Sequence, residues 1–125
     1  MPLKAVNMTR FALLGDVVET ARTPLERIRG LLGTAKLPRG GGIWIVPCRG
    51  IHSFGMRYEF DALFIDLEGR VVGMHPRFRR NRLSRIFWKA RSVLELPAGT
   101  IDRTATRVGD EVVFQAAGGG CRWAS

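Results

Sequence analysis

Cys48, His52 and Met56 stand at intervals of four within the stretch 47–66, PCRGIHSFGMRYEFDALFID, and each carries an atom that can do chemistry. A cysteine becomes a nucleophile when a base sits within hydrogen-bond reach and a third group orients that base. Here Cys48 and His52 would be nucleophile and base, with Asp61 or Glu95 orienting the imidazole. The same three residues form a soft ligand set suited to Cu(I). Ligands four apart converge only on a helix, however, and Gly50 and Gly55 oppose one, so no metal is expected. The third reading is a folded segment. Cys48 is then a small buried hydrophobe, and Met56 fills an apolar gap beside Phe54 and Phe60. His52 would bond to backbone at a tight turn, with Gly55 supplying an unusual backbone angle. These readings rank as folded segment, then wall of a polar pocket, then catalytic site.

The pocket reading rests on carboxylates. Asp61, Asp66 and Glu95 lie on or beside apolar runs, where an unpaired charge is costly to bury. Were they to line one barrel mouth with His52 and nearby arginines, the four would form a ligand-binding pocket.

The elements that must position these groups are mostly strands. Residues 11–22, FALLGDVVETAR, read as strand, turn and strand, broken at Gly15 and Asp16. Thr23-Pro24-Leu25-Glu26 carries a threonine cap, a proline at the first helical position and a glutamate three residues after the cap. Leu25, Ile28 and Leu32 share one face, so a helix is expected over about 24–32, stopped by Gly33. Three glycines, Gly40 to Gly42, form a loop with no following Lys-Ser/Thr, which argues against a phosphate loop. Ile43 to Val46 reads as a short strand ended by Pro47. Residues 62–67 and 70–74 form a hairpin about Glu68-Gly69. Val93 to Leu96 and Glu111 to Gln115 complete the strands. The expected fold is mostly β, α+β at class level. It is one compact domain over 1–116, an antiparallel sheet curled into a small barrel with one or two short helices, followed by a flexible tail over 117–125.

Charge marks a second region. Twenty Lys and Arg against eleven Asp and Glu give a net charge of +9. Seven of the twenty fall in Arg77–Arg91, RFRRNRLSRIFWKAR, a stretch without an acid. Arg77, Arg79, Arg80, Arg82, Arg85 and Lys89 are the candidate polyanion contacts. Phe78, Phe87 and Trp88 among them suit stacking on a single strand. No zinc-finger, helix-turn-helix or RNP signature accompanies them, and a solvated loop is the plainer alternative. Leu83, Ile86, Phe87 and Ala90 recur at helical spacing, so the segment reads as a short amphipathic helix or as a long hairpin loop. On either reading its arginines belong in solvent, with Leu83, Ile86 and Phe87 tucked against the domain.

Composition narrows the class. A chain of 125 residues suits one domain, and its 46% hydrophobic content fits a water-soluble fold. No apolar run approaches the ~20 residues of a membrane helix. The N-terminus MPLKAVNMTRF has no export-signal pattern, so the expected location is the cytoplasm. Two cysteines, Cys48 and Cys121, are too few for a disulfide framework, and both are expected to be thiols there.

Several segments occur together in one order: Glu26-Arg27-Ile28-Arg29-Gly30-Leu31-Leu32, Ile51-His52-Ser53-Phe54-Gly55-Met56-Arg57, Asp61 to Asp66 with Gly69-Arg70-Val71-Val72, Val93-Leu94-Glu95-Leu96-Pro97-Ala98-Gly99-Thr100, and Val108-Gly109-Asp110. Together they resemble the domain-of-unknown-function 192 family of small bacterial and archaeal proteins. The resemblance implies a compact, mostly β domain and no assigned reaction, substrate or cofactor. Tyr58-Glu59 departs from the family's more usual aromatic-proline, which bears on the turn before Asp61. The leading expectation is a non-catalytic domain that binds a small ligand or partner through a polar pocket or basic face, without a cofactor. The alternatives are a small enzyme using Cys48, His52 and a carboxylate, and a protein that binds RNA or an anionic surface through 77–91.

Overall fold

Strand β4, Phe60–Ile65, is buried along its whole length, and the alternation of its side chains shows how. Phe60, Ala62 and Phe64 join one apolar cluster with Ile43, Ile45 and Val93. Leu63 and Ile65 point the other way, into a second cluster with Val18, Leu94, Leu96 and Ile101. Successive side chains of a strand face opposite sides of the sheet, so a strand apolar at nearly every position needs cover on both faces.

The computed structural model describes residues 2–22, 37 and 39–116. Its strands are β1 (Leu3–Asn7), β2 (Ala12–Ala21), β3 (Gly41–Ile45), β4, β5 (Val71–Phe78), β6 (Ser92–Pro97) and β7 (Val112–Ala116), with one short helix, α1 (Thr100–Thr104), between β6 and β7. They form a single sheet in the order β5-β4-β6-β3-β2-β1-β7. All neighbours are antiparallel except β2 and β3, which run parallel. A parallel pair cannot be joined by a tight turn, and nineteen residues, 22–40, separate β2 from β3 in the sequence.

The sheet curls until its edge strands meet at one end. Arg70 and Glu111 form an antiparallel bridge. The Val71 N–H donates to the Asp110 carbonyl at 2.9 Å and the Val112 N–H to that of Gly69 at 2.8 Å. A buried polar cluster backs the seam. Asn7 donates to Thr106 Oγ1 and to Asp110 Oδ2, both at 3.0 Å, and Arg10 Nε reaches Asp110 Oδ2 at 3.0 Å. Each buried polar atom in this cluster therefore has a partner that offsets its lost hydration.

The mostly β, curled fold agrees with the sequence, and several elements differ in detail. Residues 12–21 are one strand, not two. Gly15 continues the strand because the Gly40 carbonyl packs 3.0 Å from where a Cβ would sit, and that carbonyl accepts the N–H groups of Asp16 and Val17. Strand β5 runs on to Phe78 rather than ending at Met74. β1 was not expected, and α1, a short helix of the kind expected, falls after Gly99 where none had been placed. The helix anticipated over 24–32, Cys121 and the tail from 117 lie outside the described residues.

Candidate functional site

Residues 48–53 form one half of a two-strap ribbon, and the arginine-rich segment is the other half. Cys48 N–H donates to the Arg91 carbonyl at 3.0 Å, Phe87 N–H to Arg49 at 2.9 Å and Ser84 N–H to Ile51 at 2.9 Å. His52 pairs with Leu83 in an antiparallel bridge. Ser53, completely buried, is the hub. Its N–H donates to the Arg82 carbonyl and its carbonyl accepts from Asn81. Its Oγ accepts the Arg82 N–H at 2.9 Å and donates to the Arg79 carbonyl. Residues 79–91 are therefore not a helix. The N–H groups of Ser84 and Phe87 are committed to the facing strap, so they are not free to bond four residues back.

The ribbon lies over the first apolar cluster, and Phe87 is its main anchor. The Phe87 ring packs on Phe64 at 4.2 Å between centroids, and a Cβ on Gly73 would overlap its edge. The absence of a side chain at Gly73 is what lets the strap close. Leu83 and Ile86, expected to tuck inward, do not. Leu83 is 73% exposed, because the buried Ser84 takes the inward position of the ribbon. Ile86 rests partly on Gly50.

All seven cations of 77–91 are exposed, as their mutual repulsion and hydration demand. Among the described residues none of them forms an ion pair with a carboxylate. The Arg85 guanidinium lies 4.7 Å from the Phe87 ring centroid, a cation–π contact. Arg85, Phe87, Trp88, Lys89 and Val72 line a recess of about 240 Å³. Trp88 is 78% exposed. On the facing strap the His52 ring stacks on the exposed Phe54 at 5.5 Å and 19°. Ser53, His75 and the recess were not singled out from the sequence. The first two are one polar residue in a loop and one histidine in a strand, and nothing local marks either.

His75 sits among Phe64, Phe78 and Phe87 with its ring centroid 5.1 to 5.9 Å from theirs. Its Nε2 is buried without a hydrogen-bond partner among the described residues. Burial, and then the positive charge of Arg85, hold it below its ordinary value of 6.5.

The four residues expected to share a ligand pocket are not brought together. Asp61 pairs in register with Leu96, and Glu95 with Ala62, so the two carboxylates leave opposite faces of the sheet. Asp61 is wholly buried and accepts the backbone N–H of Arg77 at 2.8 Å and of Ile101 at 2.7 Å. Asp66 lies five residues further on, about 17 Å along the strand direction. It shapes the hairpin by accepting the N–H of Glu68 at 3.0 Å and of Arg70 at 2.8 Å. His52 is exposed on the ribbon. The soft-metal set separates likewise, since Met56 is buried in the core while His52 faces solvent. No group of three or more His, Cys, Asp or Glu able to hold a metal occurs among the described residues. Cys48 is half-buried, and its thiol donates to the Gly50 carbonyl at 3.0 Å. No helix among the described residues is long and apolar enough to cross a membrane.

Comparison with known proteins places this geometry in a lineage. A UPF0127 protein of Thermococcus sibiricus is 28% identical over 118 residues, covering 88% of this chain and 73% of the relative. A protein of unknown function from Novosphingobium aromaticivorans shares the fold with a TM-score of 0.75 at 20% identity, over 90% of this chain and 84% of that one. A protein of Sinorhizobium meliloti, described as a "putative transcription regulator", superposes with a TM-score of 0.72 at 22% identity, over 90% and 91%. The pattern of the domain-of-unknown-function 192 family, described as "Uncharacterized ACR", matches residues 9–114. With most of its length matched, the chain belongs to that family.

Proposed function

We propose that this chain is a non-catalytic binding domain whose 77–91 face takes single-stranded nucleic acid. The recess lined by Arg85, Phe87, Trp88 and Lys89 carries the reading. It combines the exposed Trp88 ring, on which a base can stack, with two cations able to meet the flanking phosphates, within a row of exposed arginines. The ribbon hydrogen bonds support it further. A backbone already fixed before binding spends less conformational entropy than a loose basic loop would. The catalytic alternative has less behind it, since the hydrogen bond described for the Cys48 thiol runs to the Gly50 carbonyl, which cannot serve as a base.

The test is fluorescence anisotropy of the full chain with a labelled oligouridylate, alongside retention on heparin. Affinity should fall steeply with salt. Changing Arg79, Arg80, Arg82 and Arg85 together to serine should lower the salt slope by roughly 3, at about 0.7 per phosphate contact on a single strand. Trp88→Ala should weaken the oligonucleotide about tenfold, from a lost stacking contribution of about 1–3 kcal/mol, while heparin, which has no bases, is retained as before. Oligonucleotide and heparin binding that fall equally with Trp88→Ala, or a salt slope unmoved by the four serines, would refute the reading.

A further inference from the structure

A hollow lies away from the ribbon, where the β6–α1 turn faces the loop leading into β3. It is a cleft of about 610 Å³, lined in part by Leu37, Arg39, Tyr58, Glu59, Pro97 and Arg103. A second recess of about 380 Å³, walled by Leu13 and Asp16 of β2, also contains Arg39, Gly40 and Arg103. The two hollows therefore adjoin, and both are lined by the two arginines. A third guanidinium reaches the rim, with Arg77 Nη2 at 3.4 Å from where a Cβ of Gly99 would lie.

These arginines have donors to spare. A guanidinium offers five N–H groups. The hydrogen bond described for Arg103 is a long one, 3.4 Å from Nη2 to the Leu13 carbonyl. Among the described residues neither Arg39 nor Arg103 forms an ion pair, although Asp16 and Glu59 line the same walls. The floor beneath them is held firmly. The buried Asp61 carboxylate accepts from Ile101 and from Arg77, and Thr100 Oγ1 donates to the Pro97 carbonyl at 2.7 Å. A buried charge and a committed hydroxyl thus fix a turn whose outer surface is the wall of the cleft.

We infer that this cleft binds a small organic anion with a single acidic group, a carboxylate or a phosphate, on Arg39 and Arg103 and an apolar body against Leu37, Tyr58 and Pro97. The planar donor fork of arginine matches either head group in a two-point contact. The volume falls in the usual range for a small-molecule site. Asp16 and Glu59, on the two outer walls, repel a second anionic group, so the cleft rejects the phosphate chain that the ribbon would take. This site stands on residues distinct from 79–91 and survives if the nucleic-acid reading fails.

The experiment is a titration of the isotopically labelled full chain, followed by amide chemical shifts. The probes are 3-phenylpropionate, phenyl phosphate, inorganic phosphate and the neutral 3-phenylpropanol. The two aromatic anions should move the amides of Gly40, Gly99 and Thr100 and saturate, inorganic phosphate should bind more weakly, and the alcohol should leave those amides still. Arg39→Gln and Arg103→Gln should each weaken the anions about tenfold, the cost of one charge-assisted contact, and the exposure of both side chains lets the variants keep a native spectrum. Trp88→Ala should have no effect here. Tighter binding of one head group over the other identifies the chemical source of the natural ligand. Equal binding of the alcohol, shifts confined to other residues, or anion binding unchanged in both glutamine variants would overturn the inference.

Discussion

Asp61 and Ile101 lie forty residues apart in the chain and meet at 2.7 Å, the buried carboxylate accepting the backbone N–H of the helix. The other oxygen of the same carboxylate accepts from Arg77, so one side chain ties β4, β5 and α1 together. Asp61→Asn keeps the shape but turns one acceptor into a donor facing a donor. An expected loss of about 2–4 kcal/mol follows from the broken charge-assisted bond and the N–H left unsatisfied. Equilibrium urea unfolding of the variant checks this, and a loss below about 1 kcal/mol would show that the tie is not needed.

Ser53 holds the ribbon in the way Asp61 holds the turn. Ser53→Ala removes the Oγ bonds and leaves the part-buried Arg82 N–H and the Arg79 carbonyl each short of a partner. The variant should lose about 1–3 kcal/mol. Amide hydrogen exchange should also quicken at Asn81, Arg82 and Ser84 before it does in β4 or β6, because local opening of the ribbon precedes global unfolding. Uniform loss of protection across the chain would contradict a separately hinged ribbon.

Two groups give stability an acid limb in two stages. His75 is held low by burial and by Arg85, so the unfolded chain takes up a proton before the folded one does. Its contribution is complete above the ordinary value of 6.5 and declines as pH falls below it. For Asp110, burial acts to raise the carboxyl. The hydrogen bonds from Asn7, Arg10 and the Arg107 N–H, together with the Arg10 charge, outweigh burial and bring it below its ordinary 3.8. Its contribution is present above 3.8 and disappears as pH drops through the lowered value. Melting temperature against pH should therefore fall first from near neutrality and again in strong acid. His75→Phe, which suits the aromatic surroundings, should flatten the first fall alone, and Asp110→Asn the second alone.

These tests bear on how much the sequence disclosed. The hairpin about Glu68-Gly69 and the exposure of the arginines were legible, since turn chemistry and charge act locally. Asp66 could have been read as a turn former, lying just before Glu68-Gly69, rather than as a pocket carboxylate. The opposition of Asp61 and Glu95 was not legible, because it depends on the register of β4 against β6, which long-range packing sets. The pairing of residues 48–53 with 82–91 was hidden for the same reason. Helical spacing at Leu83, Ile86 and Phe87 was a real pattern, overridden when the facing strap took the backbone N–H groups. β1, LKAVN, is short and half-exposed and gave little alternation to read.

Gly73 and Phe87 form the contact on which the ribbon closes, and their coupling can be measured directly. A methyl group at position 73 would overlap the Phe87 ring, and the ring is hemmed in by Phe64 at 4.2 Å and by the Arg85 guanidinium above it. Gly73→Ala should therefore expel the ring and lose about 1–3 kcal/mol, the usual cost of overpacking. Phe87→Leu alone should lose a smaller amount, since much of the apolar area is kept. In the double variant the added methyl meets a smaller, more adaptable side chain, so the combined loss should fall short of the sum by at least about 0.5 kcal/mol. Additive losses would mean that the ring does not seat on Gly73. The same variants separate stability from binding. Gly73→Ala keeps every arginine, so a fall in its oligonucleotide affinity with heparin retention intact would show that the seated Phe87 ring shapes the base recess.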